Sequence, residues 1–203
     1  MHLVRDALPR PDDRGELTAA EGGGRVSEGG EAAGGPIPEP APARRRVVVL
    51  ACGEPERGDD AAALRAIERL PAATLEAVEI RRCRSLGPDD LLEIGPDEAC
   101  LLVDAAVGVA PGLVVGGPLE SLARPAPGAA SPRSSHLLPV EEAVRLAAIL
   151  RPGLPAGSFV GIGGASFGLG EGLSSAVEDG LPAFVEAIAA GIERLARSGD
   201  GGA

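Results

Sequence analysis

The stretch that decides the fold is Arg46–Leu70, "RVVVLACGEPERGDDAAALRAIERL". It opens on an unbroken apolar run, Val47–Cys52, the pattern of a strand covered on both faces. A glycine ends the run and a charged loop follows. From Asp59 onward, Ala62, Ala63, Ala66, Ile67 and Leu70 recur at helical spacing, predicting a helix over Asp59–Leu70. A buried strand that turns into a helix is the opening of a βαβ unit. Two adjacent aspartates, Asp59 and Asp60, stand at that junction.

Working outward, the same alternation continues. Leu75–Cys83 alternates enough for a strand nearer an edge, and "GPDDLLEIG" (Gly87–Gly95) reads as a short helix opened by Pro88 and closed by Gly95. Ala99–Val103 is a second fully apolar strand, ending on Asp104, and Leu113–Leu119 is a further strand. Val140–Leu150 reads as a helix and Phe159–Gly163 as the last central strand. Ser174 or Ser175 can cap a final helix reaching about Arg197. The predicted fold is therefore α/β: a three-layer α/β/α sandwich around a twisted, mostly parallel sheet.

The flanks read differently. Residues 1–43 are rich in Gly, Pro, Ala and Glu with almost no large apolar side chain, so they predict a disordered leader. His2 lies there and is expected to be inert. The folded domain is expected over 44–197, with a frayed end at 198–203. Over 203 residues the formal charge is −11. The one basic run, Arg44–Arg46, reads as a solvated flank to the first strand, so nucleic acid is an unexpected partner. No apolar run approaches a membrane span, and the N-terminus lacks an apolar signal core, which predicts a cytoplasmic protein; a monomer is expected. Cys52, Cys83 and Cys100 fit no zinc spacing and sit in or beside apolar stretches, the setting of buried reduced thiols.

In open parallel sheets, working residues gather beyond the carboxyl ends of the strands. Three positions share that rim. Asp59 and Asp60 follow the first strand, Asp104 closes the second apolar one, and His136 follows a later strand after a Pro/Gly/Ser loop. Two carboxylates and an imidazole make a ligand set for a divalent metal. Asp59 fits a helix N-cap, whereas Asp60 falls one place past the cap and is the better ligand candidate. Two other motifs compete. "GASFG" (Gly164–Gly168) matches the G-x-S-x-G of serine hydrolases with Ser166 as nucleophile, but more glycines follow and His136 precedes the serine. "GIGGASFGLGEG" has the glycine density of a phosphate loop without its spacing.

Taken together, "GEPERGDD", the "VDA" at Val103–Ala105, the histidine of "SSH" and the closing "VGIGGASFGLGEGLSSAVEDGLP" resemble the hydrogenase maturation proteases, over roughly residues 46–196. The resemblance implies a three-layer α/β/α domain. It further implies an endopeptidase that removes the C-terminal extension of a nickel–iron hydrogenase large-subunit precursor after nickel insertion. Asp60, Asp104 and His136 would be both the metal ligands and the catalytic residues. The nickel would be supplied by the substrate protein, with zinc or cadmium able to occupy the same ligands in vitro.

The sequence departs from the family pattern at two points. Glu54 stands where the family places asparagine, adding a carboxylate that would raise its neighbours' pKa or supply a further ligand. Ala61, Ala62 and Ala63 follow Asp60 where the family has glycines, which alters the spacing of helix and sheet. These departures keep a second class of function in view: a non-proteolytic nickel checkpoint or chaperone that binds the precursor.

Overall fold

The computed structural model describes residues 44–124 and 138–197. The leader, the C-terminal residues and the segment holding His136 lie outside the described residues.

Five strands form one sheet: β1 (Arg46–Cys52), β2 (Glu79–Cys83), β3 (Glu98–Ala106), β4 (Val114–Pro118) and β5 (Gly157–Gly163), in the order β2-β1-β3-β5-β4. β2, β1, β3 and β5 run parallel, and β4 pairs antiparallel with β5 at the far edge. Apart from its first residue, β1 is buried throughout, because strands lie on both sides and helices on both faces.

The helices divide between the two faces. α1 (Ala62–Ile67) and α5 (Ser175–Arg197) cover one; α3 (Pro88–Leu92) and α4 (Val140–Leu150) cover the other. Alternation along β1 separates two cores. Val47, Val49 and Ala51 pack with Leu181, Phe184 and Ile188 of α5, while Val48, Leu50 and Cys52 pack with Leu91, Ala143 and Val144. Burying side chains of this size contributes about 1.5–3 kcal/mol each. The doubly wound α/β architecture expected from the alternation is therefore what forms.

Three elements differ from expectation. The helix after β1 begins as a 3-10 turn at Gly58–Ala61 before α1, and its carboxylates cap nothing locally. Leu75 belongs to a short helix, α2 (Ala72–Glu76), that starts after Pro71, and β2 spans only Glu79–Cys83. Leu75, Val78 and Ile80 all pack on the same core, so their alternation reported a shared buried face rather than one strand. β3 also runs two residues beyond Asp104, because β5 continues beside it as far as the Ala106–Gly163 pair.

The cysteines require a correction. Cys52 and Cys83 face each other in the register of adjacent strands, with Cα atoms 4.7 Å apart, and are joined as a disulfide. That separation lies in the bonding range, and the parallel register brings it about across 31 positions of sequence. Cys100 alone is a buried free thiol, its pKa pushed up by burial to about 12.

Candidate active site

The rim of interest is built by the loop after β1, the end of β3 and the glycine-rich loop after β5. The first loop is fixed by two glycines. Gly53 has φ +135°, and a Cβ there would lie 1.9 Å from the carbonyl oxygen of Asp60. Gly58 has φ +53°, and a Cβ there would lie 2.6 Å from the carbonyl oxygen of Ser166. Only glycine allows either approach. The two loops are then laced by backbone hydrogen bonds: Asp59 N–H to Ser166 O at 2.8 Å and Gly170 N–H to Glu56 O at 2.8 Å.

Asp59 completes that lacing. It is 0 % exposed. Its Oδ2 accepts from the N–H of Ala165 (2.7 Å), the N–H of Ser166 (2.9 Å) and the hydroxyl of Ser174 (2.8 Å), and its Oδ1 accepts from the N–H of Ser174 (2.6 Å). Burial opposes ionisation, but the donors from Ser174, Ser166 and Ala165 outweigh it and hold the carboxyl below its usual range. Asp59 is structural, as expected, although not as a cap of its own helix. It clamps the loop after β5 and the entry to α5, more than a hundred positions away in sequence.

Asp60 is only partly buried, and its Oδ2 accepts the N–H of Glu54 at 2.8 Å. Asp104 lies just beyond the Ala51–Val103 pair, level with the end of β1. Alternation puts it on the face of Cys100 and Leu102, toward α4. Its Oδ1 accepts from the N–H of Ala105 at 2.7 Å. Burial raises its pKa to about 7; the Ala105 N–H works against this, and the charges of Asp60 and Glu141 add to it. The charge of Asp60 therefore reaches Asp104 across the rim. Each keeps one carboxylate oxygen without a hydrogen-bond donor among the described residues.

His136 lies outside the described residues, and the structure describes no contact of it with the two aspartates. Among the described residues no group of three or more His, Cys, Asp or Glu is placed to hold a metal ion. Glu141 is the participant that sequence reading missed. It is exposed in the first turn of α4, and only the packing of that helix beside β3 brings its charge toward Asp104. Glu54 meets Asp60 through its backbone N–H, while its carboxylate turns to Arg84 as a close ion pair, although its buried Oε2 lacks an aligned hydrogen bond. Ala61, Ala62 and Ala63, where the sequence departs from that glycine pattern, are all buried.

Ser166 lacks the surroundings of a nucleophile. It sits in a loop that reaches Ser175 before any helix begins, and its hydroxyl donates to Glu171. No helix of the described residues is long and apolar enough to cross a membrane.

No protein-family model matches the sequence, and no curated protein matches it significantly. Solved structures do match by fold. The hydrogenase maturating endopeptidase HybD from E. coli aligns with 21% identity and a TM-score of 0.56, over 73% of this chain and 93% of its own. The NiFe hydrogenase maturation protease HybD from Thermococcus kodakarensis aligns with 24% identity and a TM-score of 0.51, over 74% and 99%. The endopeptidase HycI from Escherichia coli aligns with 20% identity and a TM-score of 0.53, over 71% and 90%. At these identities the likeness is one of architecture, and it spans nearly the whole of each neighbour: the chain has the fold of the hydrogenase maturation proteases.

Proposed function

We propose that this chain is an endopeptidase that removes the C-terminal extension of a nickel–iron hydrogenase large-subunit precursor after nickel has been inserted. The observation that carries the reading is the pairing of Asp60 and Asp104 across one rim of this fold, each with an unengaged carboxylate oxygen. Two carboxylates that repel each other suit a divalent cation, which relieves the repulsion. In this reading the cation is nickel borne by the substrate, and His136 contributes the third ligand. Asp104 holds a proton readily in the absence of a cation, and a cation bound there displaces that proton. The rim also suits a macromolecule. Val107, 83 % exposed, follows β3, and Leu169, 74 % exposed, lies in the loop after β5. Apolar side chains so exposed beside a polar rim favour a protein partner.

The test is incubation with nickel-loaded precursor, read as loss of tail mass. The wild-type protein trims; Asp60→Ala, Asp104→Ala and His136→Ala slow trimming about a hundredfold or more. Unchanged trimming in all three variants, or none by the wild type, removes the reading.

A further inference from the structure

On the side of the Gly53–Asp60 loop facing α1 lies a cavity of about 210 Å³, lined by Gly53, Pro55, Leu64, Arg65, Arg82 and Arg84 among others. Arg82 and Arg84 are two positions apart at the end of β2, so they share the face of Ile80, which packs on the α1 core. Arg65 approaches from α1 itself. Three guanidinium groups thus line one small cavity in a chain of net charge −11. Their internal partners leave the guanidinium groups open to solvent. Arg65 meets Glu68, which also lines the cavity, at 3.4 Å with both side chains largely exposed, and a pair of this kind contributes about 0–1 kcal/mol. Arg84 meets the largely buried Glu54 while itself remaining 85 % exposed. Arg82 is exposed and has no ion pair among the described residues.

Beside the cavity lies a second feature. Among the described residues β2 is an edge of the sheet, and no strand pairs with the backbone groups on its outer side. An extended peptide can add to such an edge by main-chain hydrogen bonds, with side chains at alternate positions entering pockets beside it. Guanidinium forks match carboxylates in geometry as well as charge, and Leu64 and Pro55 offer apolar surface to the stem of a glutamate.

We infer that the end of β2 and its arginine-lined cavity are a docking site for an acidic, extended segment of a polypeptide partner. Glu54 connects this site to the rim: its N–H donates to Asp60 while its carboxylate meets Arg84. A segment seated on the arginines therefore lies one residue's width from the loop that carries Asp60. The inference rests on the reading above that the partner is a polypeptide.

The experiment uses the full chain and a fluorescein-labelled hexaglutamate peptide, with hexaglutamine as control, followed by anisotropy at low and high salt. Hexaglutamate is expected to bind and hexaglutamine not to. Binding should slow hydrogen exchange at amides of β2 and should weaken at least tenfold in Arg82→Gln/Arg84→Gln, whose side chains are exposed and whose folding is checked by circular dichroism. No binding, equal binding to the double variant, or stronger capture of a short oligonucleotide than of the peptide overturns the inference. Displacement by millimolar inorganic phosphate as readily as by glutamate peptide does so too, because it makes the cavity a simple oxyanion site. Cleavage is not needed for this readout. A protein that trims precursor but ignores hexaglutamate loses only the docking site, and one that binds it but trims nothing loses only the peptidase.

Discussion

Asp59 and Asp104 are carboxylates at one rim of one sheet, yet their surroundings push them in opposite directions. Asp59 receives four donations that occupy both oxygens, and its carboxyl is held below the ordinary range. Asp104 receives one, from its own neighbour's N–H, and it faces two other negative charges. Desolvation opposes the charge of both, so what separates structure from chemistry here is the count of donors. A saturated carboxylate holds loops together. An unsaturated one in like-charged company is stable only when a proton or a cation joins it.

The sharpest break of that comparison is to remove Asp59. In Asp59→Ala, three N–H groups and a hydroxyl lose their acceptor in a site closed to water. The expected cost is about 3–5 kcal/mol, the range for stripping one partner from a buried charged network. Urea denaturation checks it. Asp59→Asn keeps one acceptor oxygen and should lose less. If Asp59→Ala is as stable as the wild type, donor count is the wrong criterion.

A smaller effect is expected at Gly53, where the two roles share a backbone. Gly53→Ala puts a methyl group against the Asp60 carbonyl oxygen in a positive-φ conformation, so the loop has to move. The expected loss of stability is about 2–3 kcal/mol. The displacement falls on Asp60, which hangs from the Glu54 N–H, so trimming should fall further than stability does. Thermal unfolding and precursor trimming, measured on the same preparation, separate the two losses.

How much of this was legible beforehand follows from the range of each interaction. Val47–Cys52 and Ala99–Val103 declare themselves as strands because apolar runs are local, and the placement of Asp60 and Asp104 at one end of the sheet follows from strand direction alone. The clamp by Asp59 was not legible, since its donors lie 106 to 115 positions away and adjacency to a helix start made a cap the simpler reading. A hint existed: a glycine-rich loop leaves many N–H groups needing an acceptor, and Asp59 is the nearest buried one. The Cys52–Cys83 bond was hidden for a related reason, because it depends on the register of two strands and not on either strand's composition. Glu141 was missed because the first turn of a helix is an ordinary place for a glutamate until its neighbour across the packing is known.

The last test is the pH dependence of stability, in which the two aspartates should have opposite signs. Asp104 has a folded pKa of about 7 against an ordinary 3.8, so between those values the folded chain holds a proton that the unfolded chain has released. Stability attributable to Asp104 therefore falls as pH rises through that window, by up to about 1.4 kcal/mol per pH unit, and levels off above it. Asp59 is shifted the other way, so its contribution is present above the unfolded value and is lost as pH falls through its folded pKa. Because other groups titrate in the same range, the informative quantity is a difference. Wild type minus Asp104→Asn should slope downward from about pH 4 to 7, whereas wild type minus Asp59→Asn should rise at acid pH and stay flat over that window. A flat Asp104 difference curve would mean that neither burial nor the charges of Asp60 and Glu141 keep a proton on Asp104 in solution. A divalent cation bound there would do this, and adding a chelator should then restore the slope.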